Sequence, residues 1–140
     1  MSKHSNLSSD LTKNQSLVFG TLSDAKAPLS AYTILHELRE HGLKAPLQIY
    51  RALDKLVELG LVHRLESLNA FVACQHPSCE RQENSTVMFT ICEKCGNVRE
   101  LLNDNLVSRF TQLANDIDFA LKESVIELRG VCAHCRSETA

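Results

Sequence analysis

The 140 residues, 44% hydrophobic and 23% charged, have the composition of one compact domain or two small ones and exclude a fibrous or disordered chain. A net charge of −2 excludes a protein that coats nucleic acid through bulk positive charge, and 5% aromatics with no Trp leave little material for base-stacking platforms. No apolar run reaches the length of a membrane span and the polar start MSKHSNLSSD lacks a signal core, so a cytoplasmic protein with reduced thiols is expected.

In chain order, apolar residues at Leu11, Leu17, Val18 and Leu22 predict an amphipathic helix that the Ala27-Pro28 pair ends. Ser30 is an N-cap for a second helix with Ile34, Leu35 and Leu38 inward, closing near Gly42. Pro46 suits the first position of a third helix, with Ile49, Leu53, Leu56 and Val57 inward and Gly60 as its stop. Two short strands follow, 61–66 and 70–73, around a turn at 67–69. Three helices and then a hairpin outline a winged helix-turn-helix, although other small α+β domains share that order.

Residues 75–85 are polar, contain a Pro and read as a linker between a first domain at 1–74 and a second at 86–140. The second begins with a strand over 86–91, followed by a cysteine pair and a partner strand over 97–102. Asn103 or Asp104 caps a helix running to about Ile117, with Leu106, Phe110, Leu113 and Ile117 on one stripe, and a last strand covers 125–128. The predicted fold class is α+β: an N-terminal winged helix followed by a small α/β domain. So short a second domain needs a metal staple and a second copy to complete its core.

All six cysteines lie in the second half, at 74, 79, 92, 95, 132 and 135. Cys92 and Cys95 form one CxxC, Cys132 and Cys135 another. Two such turns complete the closed four-sulfur site that Zn2+ favours in structural roles. The 36-residue gap exceeds that of an ordinary zinc ribbon, but an intervening strand, helix and strand can return the second pair beside the first. Each pair could instead be redox-active, yet neither opens a βαβ unit.

A second group of ligand types, His63, Cys74, His76, Cys79 and Glu100, flanks the linker. Metal bound there would bridge the two halves, but lone His and Cys on strands are more often surface or core residues, so spacing leaves this site open. For nucleic acid, Lys44, Gln48, Tyr50 and Arg51 cluster at the start of the third helix, where a recognition helix presents side chains to the major groove. Arg takes a guanine edge or a phosphate and Gln pairs with adenine, although exposed polar residues on one helix face are ordinary. Residues 1–72 carry 8 basic and 7 acidic side chains and residues 73–140 carry 7 and 10, so the first half is slightly basic and the second acidic. No catalytic or nucleotide-binding motif is present, so no enzyme and no small organic substrate is expected.

The sequence as a whole resembles the Fur family of bacterial metal-dependent repressors, most closely its zinc-uptake branch. The resemblance runs from about Leu11 to Cys135 and rests on Ala31 to Leu35, the string Gln48 to Asp54, Gly60 to Ser67, Asn69, Cys74, and Met88-Phe89 ahead of the first CxxC. It implies a zinc-responsive repressor of zinc-uptake genes that binds palindromic operator DNA as a metal-loaded homodimer, with the second domain as the dimerisation domain. It also implies one structural Zn2+ per chain on Cys92, Cys95, Cys132 and Cys135, and one regulatory Zn2+ on His63, Cys74 and Glu100. Tyr50 and Arg51 match the family's DNA-contacting positions. The family's fourth regulatory ligand, a His, falls on Asn84, which leaves His76 or Cys79 as the substitute. A basic residue usual near the first helix is Gln15 here. The His cluster of iron-sensing members is missing from 83–87, and a thiolate at Cys74 favours zinc. Two rival readings are a sensor of iron or peroxide in the same family, and a zinc-ribbon interaction or storage module without specific DNA binding.

Overall fold

Helix α1, Lys13–Asp24, starts where its own side chains satisfy its first amides. The Gln15 N–H donates to Thr12 Oγ1 at 3.2 Å and the Thr12 N–H donates back to Gln15 Oε1 at 3.1 Å, a reciprocal capping box. The basic residue expected there has therefore been replaced by a cap. The computed structural model describes residues 10–74 and 85–138, and the chain divides into two units, 1–81 and 82–140.

In the first unit, Ser30 Oγ accepts from the Thr33 N–H at 3.1 Å and opens α2, Ala31–Leu38. A 3-10 turn over Arg39–His41 then ends at Gly42, whose φ of 96° is left-handed and suits a residue without a Cβ. Helix α3, Pro46–Glu58, carries Pro at its first position, where no amide is wasted. The three helices close on Val18, Leu22, Ile34, Leu35, Leu38, Leu43, Ile49, Leu53 and Leu56, all buried. Val57, expected inward, is instead 38% exposed, and Ala52 takes the place. Ile49, Ala52, Leu53 and Leu56 follow the i, i+3, i+4, i+7 spacing of one face, and Val57 falls just past its edge.

Strands β1, Val62–Leu65, and β2, Ala70–Ala73, pair antiparallel, with Val62 opposite Ala73 and Leu65 opposite Ala70. Asn69, at φ 48°, takes the left-handed turn position that Asn tolerates. Leu29, between α1 and α2, adds a third rung: its N–H donates to the Phe71 carbonyl at 3.0 Å and its carbonyl accepts from the Phe71 N–H at 2.8 Å. This is a winged helix, the wing resting against the same core through Val62 and Phe71.

The second unit is built around β3, Ser85–Cys92. Strand β4, Val98–Leu101, pairs antiparallel to it, with Phe89 opposite Glu100. Strand β5, Glu123–Gly130, lies parallel on its other side, with Ser85 opposite Glu123 and Cys92 opposite Gly130. A parallel pair needs a crossover, which α4, Asp104–Asp116, supplies between β4 and β5. Asn103 caps α4 by accepting from the Leu106 N–H at 3.1 Å. A short helix, α5, Ala133–Glu138, follows.

One sequence expectation changes here. The last strand extends beyond 125–128 at both ends, and its full length carries the second cysteine pair level with the first. Of the expected stripe, Leu106, Leu113 and Ile117 are exposed and Phe110 is half-buried, and Ala114 alone is buried on α4. Among the described residues of this unit the core is Met88, Phe89, Ile91, Cys92, Ala114 and Cys135. No helix among the described residues is long and apolar enough to cross a membrane.

Candidate metal centre and nucleic-acid face

The paired cysteines meet because β3 and β5 end together. Cys92 closes β3, and Gly96, at φ 75°, turns the chain back so that the Cys92 N–H donates to the Asn97 carbonyl at 2.9 Å. On the neighbouring strand the Gly130 carbonyl accepts from the Glu93 N–H at 2.8 Å, which sets Cys132 beside Cys92 and places Cys135 on α5. All four cysteines are free thiols, and their sulfurs lie within 4.8 Å of one another. Cys95 Sγ and Cys132 Sγ are 3.8 Å apart. A tetrahedron of Zn–S bonds of about 2.3 Å has edges of about 3.8 Å. That separation is far beyond the roughly 2.05 Å of a disulfide, so the geometry fits a tetrathiolate ion.

The backbone supports the same chemistry. Cys92 Sγ accepts from the Cys132 N–H at 3.4 Å and from the Cys95 N–H at 3.5 Å. These amides hold its thiol down to about 6. For Cys95 the Asn97 amide acts in the same direction, but the Cys92 thiol, burial and the Cys132 thiol outweigh it and raise the thiol overall. The Cys132 thiol, with burial and the other two cysteines, pushes Cys135 up to about 12. Without a cation the cluster therefore ionises at Cys92 before Cys95 or Cys135, and a divalent ion is what would let all four sulfurs serve as thiolates.

Of the second group of ligand types, His63 lies on β1 and Cys74 directly follows β2, both half-buried. The Cys74 N–H donates to the Leu61 carbonyl at 2.8 Å, which fixes its backbone. A His63 ring nitrogen and Cys74 Sγ lie within 4.8 Å of one another. Cys74 is disulfide-bonded, so metal ligation requires its reduction to a thiolate. Glu100 is half-buried on β4 in the second unit. His76, Cys79 and Asn84 lie outside the described residues.

On the third helix Tyr50 and Arg51 are exposed, Tyr50 by 48%, and Lys44, just ahead of the helix, is exposed as well. Gln48 is exposed too, but its side chain has another task. Gln48 Oε1 accepts from the Ala45 N–H and the Lys44 N–H, both at 3.2 Å. Two amide donors on one atom identify that atom as the oxygen. The oxygen expected to help pair with adenine thus closes the helix N-terminus, where Ala45 offers no side-chain cap of its own. Leu47 was missed by sequence reasoning: it is 58% exposed in the first turn, and its outward direction could have been read from the helical spacing of Ile49 and Leu53. In the wing, Arg64 is drawn to Asn69 Oδ1 at 3.4 Å and to Glu66 at 3.8 Å.

Comparison with known proteins places these features. The model of the ferric uptake regulator family matches residues 9–129. The zinc uptake regulation protein of Escherichia coli K12 is 38% identical over 126 residues, which cover 89% of this chain and 72% of that protein. The same figures hold for the zinc uptake regulation protein of Shigella flexneri. Among solved structures, a zinc uptake regulator complexed with zinc and DNA has a TM-score of 0.84 at 33% identity, covering 100% of both chains. Holo XcZur has a TM-score of 0.81 at 39% identity, covering 91% of this chain and 86% of that one.

Proposed function

This chain belongs to the ferric uptake regulator family, and from that premise we propose that it is a zinc-responsive, DNA-binding transcriptional repressor of zinc-uptake genes, cytoplasmic and homodimeric, acting on palindromic operators. One observation carries the reading: its full-length likeness to a zinc uptake regulator complexed with zinc and DNA. It is a regulator and not an enzyme.

In this account residues 1–74 are the DNA-binding domain, 75–85 a linker carrying metal ligands, and 86–140 the dimerisation domain. The structural Zn2+ occupies Cys92, Cys95, Cys132 and Cys135, supported by their tetrahedral spacing. The regulatory Zn2+ takes reduced Cys74, His63 and Glu100, with His76 or Cys79 as fourth ligand. A soft thiolate with an imidazole suits zinc better than metals that prefer hard oxygen ligands, which disfavours an iron or peroxide sensor. A zinc-ribbon module without DNA binding is disfavoured by the exposed helix of a complete winged helix.

The homodimer answers the open surface of the second unit. Leu106 and Leu113 of α4, Ile117 just past its end, and Val125 and Leu128 of β5 are each at least 40% exposed, apolar surface whose burial would stabilise so small a unit. A second copy covers them and gives two recognition helices for two half-sites. Zinc then acts by binding the DNA-competent arrangement more tightly than the alternative.

The test is a gel shift on an uptake-gene promoter across Zn2+, Fe2+ and Mn2+, with metal counted per chain. Retardation with Zn2+ at two ions per chain is expected. A shift that needs iron, or none with any metal, would remove the proposal.

A further inference from the structure

We propose that Leu47 is a specificity-determining residue that reads thymine through its C5-methyl group, and that Gln48, whose side chain caps the helix, reads no base at that position. The inference rests on the DNA-binding function proposed above and deepens it.

The orientation of α3 supplies the first step. At about 100° per residue, Ile49, Ala52, Leu53 and Leu56 define the buried side. Leu47 and Arg51, four residues apart, lie directly opposite, and Tyr50 flanks them. Asp54 and Glu58 continue the same outward stripe and are both exposed. Glu58 is paired with Lys55 at 3.7 Å, but the Asp54 carboxylate would face the phosphates that line a groove, and the repulsion grows as water is displaced. Only the first turn and a half of α3 can therefore sit deep in the groove, the segment bearing Leu47, Tyr50 and Arg51, with Lys44 just ahead of it.

Within that segment the side chains divide by chemistry. Arg51 and Lys44 offer cationic donors for guanine or phosphate. The Gln48 oxygen is occupied by two backbone amides, so the side chain cannot make the paired donor and acceptor contact that distinguishes adenine while the cap persists. Leu47 has no donor or acceptor, is 58% exposed, and shares its outward stripe with Arg51 and, at its flank, the partly apolar Tyr50. The one base feature in the major groove that rewards such a group is the thymine methyl. Covering one methyl is worth about fourfold in affinity, hence about fifteenfold across two symmetric half-sites.

The experiment uses zinc-loaded full-length dimer and an operator selected from a random duplex pool. Each thymine is replaced in turn by deoxyuridine, which deletes the methyl and nothing else, and affinity is read by fluorescence anisotropy. Wild type should show one thymine position per half-site whose replacement weakens binding about fourfold singly and about fifteenfold as a pair. Leu47→Ala should bind the thymine and deoxyuridine forms of that position equally while keeping any penalties elsewhere. Gln48→Ala should retain the penalty at that position, with a lower melting temperature from the lost cap. No methyl dependence in wild type, an unchanged penalty in Leu47→Ala, or a penalty lost in Gln48→Ala would overturn the assignment. Failure of wild type to select any operator with zinc would instead sink the repressor function, and this inference with it.

Discussion

Replacing Cys135 by Ser removes one of the four sulfurs while leaving the shape of a buried side chain almost unchanged. A structural tetrathiolate zinc supplies about 10–16 kcal/mol of folding free energy near neutral pH, so one thiolate in four is worth roughly 3–4 kcal/mol, or two to three powers of ten in zinc affinity. That is set against a unit whose largest buried apolar side chains are Phe89, Ile91 and Met88, each worth about 1.5–3 kcal/mol, and against a typical domain stability of about 5–15 kcal/mol. Losing one thiolate should make the second unit marginal, and adding a chelator should unfold it. The first unit, whose core of Val18, Ile34, Ile49, Leu53 and Leu56 contains no cysteine, should stay folded. Hydrogen exchange read by mass spectrometry separates the two outcomes. Amides of 85–138 should lose protection in Cys135→Ser with chelator while those of 10–74 keep it. Full protection of 85–138 in a zinc-free variant would refute the reasoning, because the ion would then contribute nothing to the fold.

Three more predictions follow from the same structure. Cys74→Ser should leave a folded dimer with one zinc per chain and no zinc-dependent operator binding, and a preserved zinc response would remove Cys74 from the regulatory site. Zinc uptake by the four-cysteine cluster should release protons, at least two from the raised Cys95 and Cys135 and fewer than four because Cys92, at about 6, is already a thiolate at pH 7.5. Since binding releases protons, affinity should fall as pH falls, and calorimetry in buffers of different ionisation enthalpy gives the count. Leu53→Ala should cost about 2–5 kcal/mol in chemical denaturation, whereas Val57→Ala, at a position 38% exposed, should cost well under 1.5 kcal/mol. Equal losses would mean that Val57 is as buried as its spacing first indicated.

How far the sequence could be read depended on whether a feature is local. Ser30 and Pro46 announce the starts of α2 and α3 through side-chain and ring chemistry that acts within a few residues, and both helices begin there. The two CxxC pairs are equally local, and their meeting required only that the strands before them lie side by side. What escaped were long-range or competitive choices. The rung between Leu29 and Phe71 spans most of the first unit and has no pattern of its own. Gln48 and Gln15 were weighed against DNA, whereas each is engaged by an unsatisfied helix amide three residues away, a contact that forms before any ligand arrives. The spacing on α4 identifies an apolar stripe, but periodicity records only that a face is apolar, not which molecule covers it. Mild acidity also reads differently once charge is placed: Lys44 and Arg51 stand at the start of one helix, and Glu58 at its far end is paired with Lys55.

The central claim is that zinc and operator DNA are coupled through one protein conformation, and reciprocity makes it measurable. Zinc affinity of the reduced dimer, its structural sites already filled, should be titrated with and without operator by competition against a calibrated chelator. The account predicts that DNA tightens zinc by the same factor by which zinc tightens DNA. A zinc affinity indifferent to saturating operator would contradict it.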